Sequence, residues 1–549
     1  MERHWRNAPY LLLATAMAAA GAMTLALTSE LTFLQDTWEF LMSRQDLTAD
    51  NLLRPHNEHL VVFPALIQWV LIELFGMGSA LPEYLVLVAF LLGTAGLLFV
   101  YVERRVGPWP ALFAAVLLLG FGPGWEALLW PFEITFVGPL FFGIAMLLAL
   151  EREDRLGDLA ACAFLVLSLG FSGLGLPFGL AAAVAILQGD RRSWLRRSYV
   201  VAVPAVLFAV WYLGWGHEAA THISLENVLE APRFVAEAVA ATAASLVGLG
   251  TDPIGGTTAS AWGPAILVAL IAVLAYRQLR RPGFYPGLWP IAAAATASWA
   301  LTAFNAAPGR EAASSRYQYV GAVFLLMILA NLLRGAQPSR RVIALLGVLT
   351  LIALGPNLVV LVQGRDTLNE QAVLTQADTA AIEIARDRVD PAFQLSPELA
   401  GTTTLVDVVA GPYFEAVEEH GSPAYTEAEL LAAPEYGRRQ ADIILSQALP
   451  LSTVVTRDAY GSEGGRSCVD AGSGAAAGIP LRPGPTRIEV PPGPEAALSL
   501  RRFATSEFPV TTAGAPGGSA MVLRVPRDLA RQPWRLRVEA AQGARVCPA

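Results

Sequence analysis

The sequence predicts a polytopic α-helical membrane protein with about eleven spans, followed by an extracytoplasmic α+β domain that ends in a small β-sandwich. Three observations predict it. Of 549 residues, 54% are hydrophobic and only 15% charged, and the mean hydropathy is +0.48, outside the range of soluble globular chains. All 38 basic residues are arginine, and they cluster between apolar runs. From Gly364 onward the long apolar runs stop, and helical patterns give way to short strands punctuated by Pro and Gly.

The elements follow in order. Residues 8–29 are long and apolar enough to span a bilayer, and Arg3 and Arg6 before them place the N-terminus in the cytoplasm. A cleaved signal peptide is the competing reading, which the length of the run and the spans after it disfavour. The run at 60–76 contains Pro64, Gln68 and Glu73, and counting it as a span would leave Glu103, Arg104 and Arg105 outside. It is therefore expected as an interfacial helix over 58–76. Spans are expected near 82–103, 109–125, 134–150, 157–172, 173–188 and 199–216. Residues 232–250 fail the same charge test, because Arg277, Arg280 and Arg281 would fall outside, and are expected as a second interfacial or re-entrant helix. Spans near 262–276, 284–304, 317–333 and 342–363 complete the count.

An odd number of spans puts the C-terminus outside. Sixteen of the 21 arginines before Gly364 then lie inside, and the five exceptions are Arg44, Arg54, Arg233, Arg310 and Arg316. The expected domains are 1–363 (transmembrane, with a first external loop over 30–81), 364–450 (helical) and 451–549 (β-rich). An amphipathic helix is expected over 366–389 and more helix through 427–448. Strands are expected at TRIEVPPG, ALSLRRFA, AMVLRVP and WRLRVEA. Cys468 and Cys547 can form a disulfide if this part faces an oxidising compartment, which the chain-entropy picture values at about 4 kcal/mol. Cys162 lies in an apolar run and reads as a packing residue.

Chemistry is expected in the stretch from Thr32 to Gly76. Asp36 and Glu39 in QDTWEF are three residues apart, so a helix would put both carboxylates on one face. A carboxylate there can act as a general base, bind a metal, or be an ordinary solvated acid. In RPHNEH, Arg54 precedes His56, Glu58 and His59; the histidines at i and i+3 could share a helix face and hold a divalent cation, or cap and anchor an interfacial helix. Glu126 and Glu133 accompany Trp125 and Trp130 in a later outer loop, where the tryptophans suit either a sugar ring or an interfacial belt. In PGREAASSRYQYV, Arg310, Arg316, Tyr317 and Tyr319 sit just before a span, and an arginine there suits a lipid-borne phosphate.

Other function classes lose their signatures. A net charge of -8 offers no basic stripe for nucleic acid, and GxxxxGK[ST], GxGxxG and HExxH are absent.

With its first span, acidic external loop, interfacial helices and external C-terminal domain, the chain resembles the GT-C superfamily of polytopic glycosyltransferases. The motifs that carry the likeness are QDTWEF, RPHNEH and SSRYQYV. The resemblance implies inverting transfer of a sugar from a polyprenyl-phosphate donor to an envelope glycan, lipid or exported protein on the outer face of a bacterial plasma membrane. It implies Asp36 as base, with Glu39 beside it. Arg54, His56, Glu58, His59, Glu126, Glu133, Arg316 and Tyr317 would bind substrate, and a divalent metal is a possible cofactor. Family members often carry a second acid directly beside the first, whereas Gln35 precedes Asp36 here. Two alternatives are a flippase for lipid-linked glycans, which should bury ionisable groups at mid-membrane, and a non-catalytic envelope assembly protein.

Overall fold

The computed structural model describes residues 2–250, 253–254, 257–258, 261–280, 283, 285–395, 405, 408–456, 468–471, 478–510, 517–540 and 543–548. Arg281, and the side chains of Arg3, Arg6, Arg277 and Arg280, on which part of the charge argument rests, lie outside that description.

The chain is mostly helical. Its helices are α1 (Glu2–Leu27), α2 (Asp36–Ser43), α3 (Ala49–Leu53), α4 (Val62–Phe75), α5 (Leu81–Val106), α6 (Pro108–Leu119), α7 (Trp125–Leu129), α8 (Ile134–Leu150), α9 (Arg155–Phe171) and α10 (Gly175–Leu187). There follow α11 (Arg191–Arg197), α12 (Tyr199–Gly214), α13 (Leu225–Leu246), α14 (Gly263–Arg280), α15 (Leu288–Phe304), α16 (Ser315–Leu332), α17 (Arg340–Ile384), α18 (Ala410–His420), α19 (Glu427–Ala432) and α20 (Glu435–Ala448). A two-stranded hairpin, β1 (Pro253–Ile254) and β2 (Thr257–Thr258), precedes α14.

Helix lies at each of the eleven stretches expected to span, but the count of eleven is not supported. Among the described residues four helical segments are long and apolar enough to cross a membrane: Asn7–Leu27, Leu81–Val106, Pro131–Leu150 and Arg340–Ile384. The number rises to six if two bent pairs each count once, Pro108–Leu119 with Gly122–Leu129 (49°) and Arg191–Arg197 with Tyr199–Gly214 (42°). Length is part of the reason. The 13 residues of α10 reach roughly 20 Å at 1.5 Å per residue, short of a hydrocarbon core of about 30 Å. Of the two expected interfacial helices, the first is α4, 14 residues long, and the second is α13, which begins earlier than expected because Ser224 caps it by accepting from the Asn227 backbone.

The chain divides into two compact units. The helical unit comprises Met1–Glu30, Arg44–Leu71 and Leu81–Leu368; the C-terminal unit comprises Leu31–Ser43, Ile72–Ala80 and Asn369–Ala549. This differs from the expected boundaries in three ways. Gly364, where the composition changes, falls inside α17, and a Cβ there would lie 2.2 Å from Trp125 Cγ, so the glycine permits close packing and does not break the helix. The expected separate helices 342–363 and 366–389 are thus one. The first external loop is split, with α2 belonging to the C-terminal unit. Finally, the helical and β regions after residue 368 form one unit.

In the helical unit the core is aromatic against small residues. Phe171 packs with Phe63, Phe90 and Phe142 at centroid distances of 5.2–5.6 Å. Gly138 and Gly143 of α8 admit Phe171 and Phe178, where a Cβ would come within 2.4 Å of either ring, which is how closely spaced apolar helices gain van der Waals contact.

The C-terminal unit explains why α2 belongs to it. Trp38 is fully buried, donates to the Phe33 carbonyl (3.0 Å) and lies 6.0 Å from the ring of Tyr413 on α18. Gln35 donates to Gln371 on α17 (2.6 Å). The apolar run before α2 therefore finds its partners on helices over 300 residues later.

The strands are β3 (Ser452–Thr456), β4 (Val469–Ala471), β5 (Ile479–Pro480), β6 (Gly484–Glu489), β7 (Ala497–Arg501), β8 (Phe508–Pro509), β9 (Ala520–Val525), β10 (Arg535–Glu539) and β11 (Ala544–Pro548). They form two antiparallel sheets, of order β3-β9-β6-β11-β4 and β5-β10-β7-β8. All four expected strand segments overlap strands. Helical carboxylates join this region by accepting backbone N–H groups: Asp442 from Arg502, Phe503 and Ala504 (2.7–3.1 Å), Glu435 from Thr505 and Ser506, and Glu427 from Arg531 and Gln532. Such charge-assisted bonds satisfy loop donors that no strand reaches. Cys468 and Cys547 are disulfide-bonded, and the register that pairs Val546 with Val469 brings them opposite each other.

Candidate functional site

The site lies in the helical unit and grows from the segment between α3 and α4. Pro55 disfavours helix in the residue before it, and α3 ends at Leu53. Instead of the expected helix, RPHNEH folds into a tight hairpin in which His56 and His59 exchange both backbone hydrogen bonds (3.1 and 2.9 Å). Asn57 supplies the turn at φ 49°, a left-handed conformation that Asn tolerates. The buried Arg44 holds the entry, donating to the carbonyls of Asn51 (2.7 Å), Arg54 (3.0 Å) and Pro55 (3.3 Å).

The two histidines have different partners. The His56 ring is buried edge-on against Phe132 (5.1 Å), which stacks on Trp130 (5.7 Å). His59 lies against Gly173, where a Cβ would come within 2.8 Å of Nδ1, and its Nε2 is 3.7 Å from Glu58 Oε1. Burial lowers the His59 pKa to about 4; the Glu58 carboxylate opposes the shift, and His56 and Arg310 add to it. His59 is therefore neutral at pH 7. Among the described residues no group of three or more His, Cys, Asp and Glu is placed to hold a metal ion, so of the two readings of His56, Glu58 and His59 the one as a cation set has no support there. The hairpin is the reason, because it replaces the helical face on which that set depended.

Two loops distant in sequence complete the group. Arg310 donates to Glu58 Oε1 (2.8 Å), with both side chains about a fifth exposed at 19% and 20%. Glu126, in the first turn of α7, accepts from the Arg316 backbone N–H (3.1 Å) and has the Arg316 guanidinium 4.0 Å away, while its own N–H donates to Ser315 Oγ (2.9 Å). The carboxylate thus meets the N-terminus of α16, where the helix dipole favours negative charge. Tyr317 packs 6.1 Å from Phe136 and feels the charges of Arg316, Arg310, Glu58 and Glu133 together. Glu133 is fully buried in the turn before α8.

Of the residues expected from sequence, the helical unit brings together His56, Glu58, His59, Glu126, Glu133, Arg316 and Tyr317. Arg54 is exposed and donates to Asn51 Oδ1 (3.2 Å). Asp36 and Glu39 occupy the first turn of α2, in the C-terminal unit. The structure adds Arg310 and Arg44 to the group. Their signal was present: both break the arginine bias. Three buried polar atoms of this group, Glu58 Oε2, His59 Nδ1 and Trp130 Nε1, make no hydrogen bond among the described residues.

The chain matches no model of a known protein family and no curated protein. Helices long and apolar enough to span a membrane, and a polar group at their ends, are consistent with a membrane protein.

Proposed function

We propose that the chain is a membrane-bound glycosyltransferase of the GT-C kind, passing a sugar from a polyprenyl-phosphate donor to an envelope acceptor. The observation that supports it is the convergence of Arg310 and Arg316 with Glu58, neutral His59 and Glu126, beside three buried polar atoms that no group among the described residues satisfies. Buried polar groups are ordinarily hydrogen-bonded, so a polar ligand suits them. Arginine forks match phosphate oxygens, and Trp130, Phe132 and Tyr317 suit a sugar ring.

In the reaction an acceptor oxygen attacks the anomeric carbon, the bond to phosphate breaks with its electrons on the polyprenyl phosphate, and a base removes the acceptor proton. Within the helical unit Arg310 and Arg316 hold the donor phosphate, and Glu58 and His59 orient the acceptor; the base role is given to Asp36, with Glu39 on the same turn of α2, by the resemblance alone. The topology of this reading has the N-terminus cytoplasmic and the C-terminal unit outside, which the Cys468–Cys547 disulfide supports, since such bonds persist in oxidising compartments. The two C-terminal sheets are read as a small sandwich that binds acceptor.

Purified full-length protein given polyprenyl-phosphate sugars tests the reading. Asp36→Asn is expected to abolish transfer while leaving the melting temperature unchanged. Undiminished turnover removes Asp36 from the mechanism, and no transfer by the wild-type protein across a panel of such donors removes the glycosyltransferase reading.

A further inference from the structure

A second charged group lies at the other end of the same helices. A cavity of 860 Å³ is bounded by the C-terminal ends of α5, α8 and α10, by α11, and by the segment before α15. Its lining carries Arg104, Arg105, Arg192, Arg196, Arg197 and Arg334 against three carboxylates, Glu151, Glu153 and Asp190, a net charge of +3.

Half of these arginines are already engaged. Arg104 and Arg105 both bind Glu151, and Arg197 donates to Asp158 (2.8 Å). The others are not. Arg192 and Arg196 are exposed, one helical turn apart on α11, and Arg334 is exposed with its guanidinium 3.8 Å over the Tyr285 ring; none of the three has a carboxylate within ion-pair distance among the described residues. Three uncompensated guanidiniums around one concavity form an anion site, because each offers a planar fork of donors and concave low-dielectric walls strengthen their field.

We propose that this cavity holds the phosphate of an anionic phospholipid head group. Phosphate is the shared chemistry of lipid and soluble candidates, and α11 argues for the lipid. Between its arginines it exposes Trp194 and Leu195, 37% and 76% accessible, within seven residues of sequence RRSWLRR. An aromatic and a leucine beside arginines is the pattern of a segment lying at a membrane surface, where the indole sits at head-group level and the cations meet lipid phosphate. A soluble phosphate site would have no use for that exposed apolar pair.

Full-length protein, delipidated in detergent and offered phosphatidylglycerol or phosphatidylcholine, is assayed by native mass spectrometry for retained lipid. Wild type is expected to retain phosphatidylglycerol preferentially, and Arg192→Ser, Arg196→Ser, Arg334→Ser together weaken it on the order of a hundredfold. Glu153→Gln, which removes a lining carboxylate, is expected to tighten it severalfold. An unchanged triple variant, or equal retention of phosphatidylcholine, overturns the site. Inorganic pyrophosphate that binds alone and displaces the lipid at equal concentration overturns the lipid as its source. Because α11 and Arg334 are exposed, a melting temperature within a few degrees of wild type shows that the triple variant is folded.

Discussion

The two ends of the helical unit differ in how much of their charge is matched. α16 carries Arg316 in its first turn and is followed by Arg334, and α8 is preceded by Glu133 and followed by Glu151, so each helix carries a charged residue at or just beyond both ends, roughly 27 Å apart at 1.5 Å per residue. At the first end the arginines are matched to carboxylates, Arg310 to Glu58 and Arg316 to Glu126, in surroundings that also keep a histidine neutral. At the second end Arg104, Arg105 and Arg197 are likewise matched, to Glu151 and Asp158, but three more arginines face a cavity with no carboxylate in ion-pair reach among the described residues. Matched, partly buried pairs preorganise a site for a ligand that must be oriented. Uncompensated, exposed cations attract a ligand that need only be held.

That contrast can be broken by measurement. The largest effect is expected from Arg310→Ala, which leaves the partly buried Glu58 carboxylate unpaired and should destabilise the protein by about 2–3 kcal/mol. Thermal unfolding in detergent measures it; a change under ~0.5 kcal/mol would make this an ordinary surface pair.

Acid should act next. His59 has a folded pKa of about 4, below the ordinary 6.5, so the unfolded chain binds the proton more readily. Its contribution is present in full above pH 6.5 and is lost as pH falls from 6.5 to 4, amounting to about 2 kcal/mol once the ring's partial exposure is allowed for. Melting curves across that window should show the loss in wild type and a shallower one in His59→Gln. Equal slopes would mean that the ring titrates normally.

Smallest should be Arg192→Ser with Arg196→Ser at the other end, within ~0.5 kcal/mol of wild-type stability without lipid, since exposed unpaired cations contribute little. A loss comparable to that of Arg310→Ala would erase the distinction between the two ends.

Much of the helical architecture is legible in the chain itself. Hydropathy runs locate helices because an apolar stretch must bury its backbone polar groups in helix, and alternating short segments such as ALSLRRFA locate strands for the same kind of reason. Span number is less legible, since it depends on where each helix stops: Gly120 ends α6, and α10 is only 13 residues long. The site was legible in part. Arg316, Glu126 and Glu58 carried a signal as rare charges near apolar runs, yet nothing local joins Glu58 to Arg310, which are 252 residues apart.

The sequence by itself determined that the chain is mostly helical and apolar, that a sheet region closes it, and which few charges stand at the helix ends. Only the tertiary structure decided that Gly364 lies within a helix packed on Trp125, that α2 with Asp36 and Glu39 joins the C-terminal unit, and that RPHNEH is a hairpin with its histidines on separate partners. The physical reason is common to all three. Composition and periodicity report what a segment must bury, whereas its partner, hundreds of residues away, determines where and against what.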